Sequence, residues 1–401
     1  MARTEAVIID AVRTPVGKYG GALRDVRPDD LSAIVIQALV KRTHIDPVII
    51  QDVMWGCANQ AGEDNRNVGR MGALLAGLPY SVPGTTINRL CGSSLDAINQ
   101  AARAIWSDDL DIIIAGGVES MSRAPYSLPK NQSGTFGNVT AYDTALGWRY
   151  PNPKMEKMFP LEAMGETAEN VAEKYKISRE EQDKFAYDSH MKAVKAQKDS
   201  KFRSELIPVE IAKKKGDPTI VQQDEGPRAD TSLDQLAKLS PVFRKNGTIT
   251  AGNSSSLNDG AATVLMMSAA KAQALKLKPM ARIVATGIAG VDPRYMGIGP
   301  VPAVQNALKK AGLTIKDIDL IELNEAFAAQ SIAVIRDLNI DPLKLNPNGG
   351  AIALGHPLGC SGARIMTTLL HEMQRRKSRY GIATMCIGVG QGIATIVENI
   401  V

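Results

Sequence analysis

Residues Asn88–Ile105 have the sequence NRLCGSSLDAINQAARAI, and this stretch decides the fold class. The apolar residues in its second part recur with the period of an α-helix, at Leu95, Ile98, Ala102 and Ile105. Cys91 therefore lies at or just before the N-terminus of a predicted helix. Because the dipole and the free N–H groups at that end favour negative charge, we expect a lowered pKa for the Cys91 thiol. The alternative is an inert cysteine in the core.

Around this stretch, short apolar runs alternate with helical patterns. Buried strands are predicted at Ala6–Ile9, Asp52–Gly56, Asp111–Gly116, Arg282–Gly287, Ile318–Leu323 and Gly381–Ile387. Helices are predicted at Leu31–Arg42, Leu95–Ile105, Pro302–Ala311, Ala326–Leu338 and Ala363–Arg376. Asn324 follows a strand and is expected to begin the next helix as its N-cap, with Glu325 in the first turn. This alternation predicts an α/β protein whose helices pack on the sheets.

The same order of elements occurs twice: a strand, a loop, a Cys- or Gly-rich turn, a helix, a strand and a Gly-rich turn. The first copy comprises Val53–Gln60, Asn88–Ile105 and Ile112–Gly117. The second copy comprises Ile321–Gln330, Asn346–Ile365 and Ile382–Gly390. This internal repeat predicts two similar α/β halves that pack together.

Residues from about 121 to 250 break the repeat and are richer in Pro, Lys, Glu, Met and Asn. Ser178 with Glu181 three residues later is typical of a capping box at a helix start. Pro125–Pro153 and Gly216–Thr231 are predicted to be loops. We expect an insertion that covers one face of the first half and shapes access to a substrate.

The composition is that of a globular protein with few aromatic residues. Of 401 residues, 44% are hydrophobic, 22% charged and 4% aromatic, which argues against a nucleic-acid reader that relies on aromatic stacking. The net charge of +5 fits an anionic ligand, while the Lys213–Lys215 run is expected to be a solvated loop. No apolar run approaches the about 20 residues of a membrane helix, and no targeting segment is evident. We expect a cytoplasmic protein.

The cysteines and histidines lack the spacing of a metal site or a disulfide framework. The cysteines are Cys57, Cys91, Cys360 and Cys386, with no CxxC pair. The histidines are equally scattered, at His44, His190, His356 and His371, so no zinc site is predicted.

Two Gly-rich stretches resemble phosphate-binding motifs, but their spacing does not fit. In NPNGGAIALGHPLG (Asn346–Gly359), the glycines precede His356 rather than the Lys and Ser/Thr of a P-loop. We expect a rigid turn that presents this imidazole as a base toward a thiol. In CIGVGQG (Cys386–Gly392), too few residues follow for a dinucleotide-binding unit. A turn presenting backbone N–H groups to an oxyanion is one interpretation, and a core cysteine beside a plain Gly turn is the other.

In combination and in order, these stretches resemble the thiolase family along essentially the whole chain. The matching stretches are Ala11–Pro15, Asn88–Ser94, Ala115–Ser120 (AGGVES), Thr250–Ala261 (TAGNSSSLNDGA), Asn324–Ala328 (NEAFA), Asn346–Gly359 and Cys386–Gly392. The resemblance implies two βαβαβαββ halves in a five-layered α-β-α-β-α fold with an inserted loop domain. It implies an N-terminal half at residues 1–120 plus 251–275, a loop domain at 121–250 and a C-terminal half at 276–401.

The resemblance also implies thiolytic cleavage of 3-ketoacyl-CoA to acetyl-CoA and a shortened acyl-CoA, with Cys91 as the nucleophile that becomes acylated. His356 falls where the family's base activates that cysteine. Cys386 falls where a second cysteine moves the proton on the substrate α-carbon. His356 and a water held by Asn324 resemble one oxyanion hole, and the N–H groups of Cys91 and Gly388 resemble another.

Coenzyme A is expected as a substrate, with no permanently bound cofactor and no metal. The family's pantetheine contacts correspond to Met164, Ala251, Ser255, Leu257, Met296 and Phe327, and the basic residue near the nucleotide corresponds to Arg228. We expect acyl-CoA and CoA as partners, no nucleic acid and no membrane. A homotetramer, or a dimer, is expected by analogy with the family.

Departures from the family pattern bear on the acyl group. Ala163 stands where many acetoacetyl-specific thiolases have His, which argues against a biosynthetic enzyme that condenses two acetyl-CoA. Val389 replaces a common Gly next to Gly388. The stretch Cys57–Asn67 resembles 3-oxoadipyl-CoA thiolases, and its Arg66 fits either a dicarboxylic acyl chain or a subunit contact.

Three other functions fit the sequence less well. A decarboxylating condensing enzyme of the ketosynthase type would have a His or Asn partner in place of Cys386. A non-catalytic CoA-binding scaffold would not need an intact set of catalytic residues, and this chain keeps Cys91, Asn324, His356 and Cys386. A dehydrogenase of the Rossmann type is excluded by the glycine spacing.

Overall fold

The computed structural model describes residues 3–130 and 138–400. Its strands are β1 (Ala6–Arg13), β2 (Gly17–Lys18), β3 (Asp52–Gly56), β4 (Thr85–Ile87), β5 (Ile112–Ser120), β6 (Tyr126–Ser127), β7 (Tyr142–Asp143), β8 (Val209–Ile211), β9 (Thr219–Val221), β10 (Asn258–Ser268), β11 (Ala281–Gly290), β12 (Leu320–Leu323), β13 (Tyr380–Ile387) and β14 (Gln391–Asn399). Its α-helices are α1 (Pro28–Thr43), α2 (Val68–Leu75), α3 (Ser93–Trp106), α4 (Pro153–Met158), α5 (Met164–Tyr175), α6 (Arg179–Lys198), α7 (Leu233–Ala237), α8 (Ala269–Ala274), α9 (Pro300–Ala311), α10 (Ala328–Leu338), α11 (Ala351–Leu354) and α12 (Leu358–Arg376). None of these helices has the length and apolar character needed to cross a membrane.

The large sheet repeats one arrangement of strands. Its order is β12-β13-β14-β11-β1-β10-β5-β3-β4, and it divides where β1 pairs briefly with β11, with Val7 opposite Arg282. The first part contains β3-β5-β10-β1 and the second contains β12-β13-β14-β11. In each part the first pair of strands is parallel and the following pairs are antiparallel. The repeat predicted from the sequence is therefore confirmed.

The helices form three layers around the two parts of the sheet. α3 and α12 contact each other between them, and side chains such as Ile98 and Ile365 share one core with strands of both halves. α1 and α2 cover the outer face of the first half, where Leu31 and Leu39 are buried. α9 and α10 cover the outer face of the second half. Each fully buried Leu or Ile contributes about 1.5–3 kcal/mol of transfer free energy to this packing. The three helix layers and the two parts of the sheet make five layers, which confirms the predicted fold.

The prediction that Asn324 begins a helix is wrong. β12 ends at Leu323, and α10 begins only at Ala328, with Phe327 as its N-cap. The Asn324 N–H continues the sheet bonding and donates to the carbonyl oxygen of Thr384 at 3.0 Å. The side chain of Asn324 is thus not used as a helix cap and is available to the site described below.

The insertion after β5 begins its longest helix as predicted. The Ser178 hydroxyl accepts the N–H of Glu181 at 3.2 Å, and the Glu181 carboxylate accepts the N–H of Ser178 at 2.9 Å. The prediction that the insertion covers the first half is wrong for its helices, because α5 and α6 pack on α10, and α6 also packs on α11 of the second half. Buried Arg13 on β1 pairs with Glu205 at 2.6 Å and Asp224 at 2.7 Å and connects the insertion to the first half.

Candidate active site

A cavity of about 320 Å³ lies where the two halves and the insertion meet. Residues singled out from the sequence line it: Cys91, Met164, Ser255, Leu257, Met296, Phe327, His356, Cys386 and Gly388. Its walls are mainly apolar, and its volume is within the range of sites that hold small molecules. Arg228 and Ala251 are exposed and lie outside this lining.

Cys91 lies directly before α3, whose N-cap is Gly92 and whose first residue is Ser93, as predicted. The prediction of a lowered pKa is wrong, because burial raises the pKa of the Cys91 thiol to about 11. The N–H groups of Gly388 and of Cys91 itself hydrogen-bond to the sulfur and lower the pKa by less than burial raises it. The negative charge of Glu119 raises it further. Without substrate the thiol is therefore neutral and needs a base.

Two residues beside these N–H donors have backbone conformations that L-residues rarely adopt. Leu90, before Cys91, has φ of 47°, and Val389, after Gly388, has φ of 62°. Such conformations cost roughly 1–2 kcal/mol per residue, and strain of this kind clusters at functional sites. A Cβ atom on Gly388 would lie 3.3 Å from Leu90 Cδ1, so the two strained turns pack closely together. They direct both N–H groups at one sulfur.

His356 lies directly before α12, whose N-cap is Pro357 and whose first residue is Leu358. Its Nδ1 is 2.6 Å from Ser361 Oγ, and the Ser361 hydroxyl donates to the Pro357 carbonyl oxygen at 2.8 Å. Because that hydroxyl has a single proton, Nδ1 carries the ring proton and Nε2 is an acceptor. Burial, followed by the charge of Arg364, lowers the pKa of His356 to about 3. The imidazole is neutral and has a lone pair for a thiol proton.

The turn that holds His356 depends on Gly355 and Asn258. Gly355 has φ of 107°, and a Cβ atom at that position would overlap the Asn258 side chain. Asn258 Oδ1 accepts the His356 N–H at 2.9 Å, and Asn258 Nδ2 donates to the Gly17 carbonyl oxygen at 2.8 Å. The bond from the His356 N–H fixes the backbone of His356, in the second half, to Asn258 on β10 of the first half.

Cys386 lines the cavity, whereas Asn324 is fully buried beside His356 and is not part of the lining. Cys386 is buried one residue before the end of β13, and burial raises the pKa of its thiol well above the usual range, an effect to which a thiolate at Cys91 adds. Asn324 Nδ2 lies 3.4 Å from His356 Nε2. Asn324 Oδ1 is buried and has no hydrogen-bond partner among the described residues. The site therefore offers a second protonated thiol and an amide oxygen without a partner among the described residues.

A buried carboxyl that the sequence did not predict, that of Glu119, lies in the cavity wall near the end of β5. It accepts three backbone N–H groups, from Gly359 at 2.8 Å, Ala58 at 3.0 Å and Asn59 at 3.2 Å. Burial raises its pKa to about 7. Glu119 connects the start of α12, directly after His356, to the loop after β3 and so helps to position His356 in the cavity wall.

Cys57, Asp64 and Glu119 place their potential ligand atoms within 4.8 Å of one another. These atoms already have hydrogen-bond partners: Asp64 accepts the N–H groups of Gln60 and Gly62, and the Cys57 thiol lies 3.5 Å from Asp64 Oδ2. These hydrogen bonds explain why the three side chains lie together: they support the loop after β3.

A segment of the insertion, Thr144–Arg149, also lines the cavity and was not singled out from the sequence. Arg149 Nη1 donates to the Thr144 carbonyl oxygen at 2.9 Å, and Arg149 Nη2 donates to the Asn59 carbonyl oxygen at 3.4 Å. Arg66, which the sequence suggested as a contact for a dicarboxylic chain, is exposed and lies outside the lining. Because the sequence predicts only a loop in this region, it does not indicate that Arg149 lines the site.

Comparisons with known proteins agree with this arrangement. Residues 6–270 match the family "Thiolase, N-terminal domain", and residues 277–399 match "Thiolase, C-terminal domain". The 3-oxoadipyl-CoA/3-oxo-5,6-dehydrosuberyl-CoA thiolase of Escherichia coli (strain K12) is 56% identical over 399 residues, which are 99% of this chain and 100% of that protein. Crystal structures of Bacillus anthracis acetyl-CoA acetyltransferase (43% identical, 100% of both chains) and human mitochondrial 3-ketoacyl-CoA thiolase (42%, 99% of both chains) each superpose with a TM-score of 0.93. The chain belongs to the thiolase family, and it is an acyltransferase with coenzyme A as a substrate.

Proposed function

We propose that this thiolase cleaves 3-ketoacyl-CoA thioesters whose acyl chain ends in a carboxylate, with 3-oxoadipyl-CoA as the foremost substrate. The observation that carries the proposal is the 56% identity, over 99% of the chain, to a relative named for two such substrates. Ala163 supports it, because it lines the cavity at the N-cap of α5, where many acetoacetyl-specific thiolases have His. The products of 3-oxoadipyl-CoA and CoA are acetyl-CoA and succinyl-CoA.

In the proposed first step, Cys91 passes its proton to His356 Nε2 and attacks the C3 carbonyl carbon. Burial keeps the thiol and the imidazole neutral beforehand, because it raises the pKa of the thiol and lowers that of the imidazole. The oxyanion that forms accepts the N–H groups of Cys91 and Gly388, which already point at the sulfur. Each donor of this kind lowers the barrier by roughly 3 kcal/mol.

Carbon–carbon cleavage then leaves the acyl group on Cys91 and an electron pair on C2 of the acetyl-CoA enolate. The enolate oxygen is stabilised by His356 and by a water held by Asn324, and Cys386 donates its proton to C2. The incoming CoA thiol gives its proton to the Cys386 thiolate and attacks the acyl carbonyl. Cys91 leaves as a thiolate and recovers its proton from His356, so the enzyme returns to its starting state.

We assign the pantetheine arm of CoA to the wall formed by Met164, Ser255, Leu257, Met296 and Phe327. Ser255 is itself fixed, because its N–H and its hydroxyl both donate to the Ala326 carbonyl oxygen at 3.0 Å. Apolar packing with few hydrogen bonds suits this arm. Exposed Ala251 and Arg228 are assigned to the outer part of CoA, where a guanidinium can meet phosphate oxygens.

We further propose a cytoplasmic homotetramer, which rests on analogy with the family alone. Light scattering coupled to size-exclusion chromatography tests the assembly. A mass four times that of the 42.9 kDa chain is the expected result, and a monomer or dimer mass would contradict it.

A panel of substrates tests the proposed specificity. The loss of the ketoacyl thioester is followed for 3-oxoadipyl-CoA, 3-oxohexanoyl-CoA and acetoacetyl-CoA in the presence of CoA. We expect the highest kcat/KM with 3-oxoadipyl-CoA. The highest kcat/KM with acetoacetyl-CoA would support the biosynthetic alternative instead, and the absence of turnover with every substrate would refute the assigned site.

A further inference from the structure

Arg149 is a half-buried cation in the wall of the cavity that contains Cys91. Its contacts are with neutral oxygens: the carbonyl of Thr144 at 2.9 Å, the carbonyl of Asn59 at 3.4 Å and Asn59 Oδ1 at 3.5 Å. No Asp or Glu of the described residues forms an ion pair with it, and the segment 131–137 (NQSGTFG) contains no acidic residue. Arg149 therefore has no counter-charge among residues 3–130 and 138–400.

The acidic residues in the cavity wall, Glu119 and Glu162, have partners other than Arg149. Glu162 pairs with Arg294 at 3.3 Å and accepts Asn170 Nδ2 at 3.0 Å. Glu119 is held by three backbone N–H groups, and burial raises its pKa to about 7. Among the described residues that line the cavity, Arg149 is the only Arg or Lys. An anion that enters the cavity therefore meets a single guanidinium.

The geometry of a guanidinium suits a carboxylate. It has five N–H donors in a planar fork, and the contacts with Thr144 and Asn59 use Nη1 and Nη2 only, so Nε–H and one Nη1–H remain for a carboxylate. A cation beside apolar walls is unfavourable without a partner, so a ligand carboxylate gains from the pairing. The carbonyl oxygens of Thr144 and Asn59 hold the fork in place before a ligand arrives.

The position of Arg149 distinguishes the acyl group from coenzyme A. Asn59, which accepts from Arg149, donates its own N–H to Glu119 Oε1 at 3.2 Å, and Glu119 accepts the Gly359 N–H at the start of α12. Arg149 is thus connected to the first-half wall beside the catalytic residues. None of the residues assigned to pantetheine is among the hydrogen-bond partners of Arg149. Met164 begins α5, Ser255 and Leu257 precede β10, and Met296 and Phe327 belong to the second half.

We infer that Arg149 binds the terminal carboxylate of the acyl chain and thereby makes the enzyme prefer dicarboxylic 3-ketoacyl-CoA thioesters. This inference rests on the proposed function and names the residue that produces the specificity. The pairing involves binding only, and no bond to Arg149 forms or breaks. A neutral acyl chain of the same length gains nothing from the guanidinium.

Two substrates of equal chain length test the inference, 3-oxoadipyl-CoA with a terminal carboxylate and 3-oxohexanoyl-CoA with a terminal methyl. Arg149→Gln keeps hydrogen-bond donors but removes the charge. We expect kcat/KM for 3-oxoadipyl-CoA to fall about 10- to 100-fold, mostly through KM, as for the loss of a charge-assisted hydrogen bond. The value for 3-oxohexanoyl-CoA should change less than about threefold. Arg149→Lys should restore part of the preference.

The ratio of the two kcat/KM values separates specificity from damage to the fold or to CoA binding. An equal loss with both substrates would overturn the inference, because it would place Arg149 at CoA or in the structure. Arg66→Gln, an equal loss of charge at an exposed residue outside the cavity, is the matched control and should leave the ratio unchanged. A wild-type enzyme without preference for 3-oxoadipyl-CoA would overturn both the proposed function and the inference. A preference that survives in Arg149→Gln would overturn the inference alone.

Discussion

The two halves of the molecule place different side chains at matching positions before their central helices. Cys91 lies two residues before the first residue of α3, and His356 lies two residues before the first residue of α12. Since α3 and α12 contact each other between the two parts of the sheet, these positions face one cavity. The repeated scaffold thus brings a thiol from one half to an imidazole from the other.

The ends of the parallel strands show a second match. Cys57 follows β3, and Asn324 follows β12. The last residue of β3 pairs with Gly117, and Glu119 lies two residues further along β5. The last residue of β12 pairs with Thr384, and Cys386 lies two residues further along β13. In the first half, Cys57 and Glu119 have hydrogen-bond partners within the protein. In the second half, Asn324 Oδ1 has none among the described residues, and Cys386 lines the cavity. The fold supplies equivalent positions, and their hydrogen bonding decides which remain available for chemistry.

The largest expected effects come from the two thiols at the cavity. Cys91→Ser should lower kcat for thiolysis by roughly 10⁴-fold or more, because an alcohol with a far higher pKa replaces the nucleophile. Cys386→Ser should lower it by about 10²–10⁴-fold, because a proton donor is lost while the nucleophile remains. Steady-state thiolysis measures both variants. A Cys386→Ser enzyme as fast as the wild type would contradict the assigned proton transfer.

The next largest effects compare substitutions of Asn324 and of Cys57, which occupies the matching position in the first half. Asn324→Ala should lower kcat by about 10²–10³-fold, as for the loss of an oxyanion-hole donor. Cys57→Ala should instead lower the free energy of unfolding by about 1–2 kcal/mol, through the lost contact and cavity formation, with kcat nearly unchanged. Kinetics and urea unfolding on the same samples distinguish the two. Equal kcat losses would show that the first-half cluster also takes part in the chemistry.

The pH dependence of alkylation tests which charge state prevails at Cys91. Burial raises the pKa of this thiol to about 11, above that of a free cysteine, so thiolate increases as pH rises and is scarce near neutrality. The rate of iodoacetamide labelling at Cys91 should rise close to tenfold per unit between about pH 7 and 9. Peptide mapping with Cys91→Ser as the control excludes labelling at other cysteines. A plateau below about pH 7 would indicate a thiolate–imidazolium pair.

The smallest expected effect concerns the strained turn after Gly388. Val389→Gly removes a β-branched side chain from a residue with φ of 62° and should raise the free energy of unfolding by up to about 1 kcal/mol. The same change removes a side chain that borders the cavity. Because no substrate contact is assigned to this side chain, KM should change less than about threefold. Thermal and urea unfolding measure the first effect. Destabilisation by Val389→Gly would show that side-chain packing outweighs the backbone strain.

Much of the fold followed from local patterns in the sequence. The helical period after Cys91 and the capping box at Ser178 are local signals, and the structure confirms both. β10 was missed although Ala261–Met267 is an apolar run broken only by Thr263, and its first residues are polar. Asp259, for example, is paired with the N–H of Ser122 at 2.9 Å, a partner distant in the sequence.

Features that depend on distant partners did not follow from the sequence. The helix position of Cys91 favours a lower pKa, but residues from both halves exclude water and reverse the direction of the shift. Asn324 has the residue type of an N-cap, yet its N–H is held by Thr384 on the neighbouring strand. Arg149 lies in a region with loop-like composition, and only the folded chain shows that it lines the cavity.

Identification of the acylated residue tests the central claim most directly. The enzyme is mixed with 3-oxoadipyl-CoA without added CoA, quenched in acid and digested, and the peptides are analysed by mass spectrometry. We predict a succinyl thioester on the peptide that contains Cys91, and the same adduct, formed from succinyl-CoA, in Cys386→Ser. An acyl group on Cys386 in the wild type, or a Cys91→Ser variant that still acylates at full rate, would contradict the division of labour between the two halves.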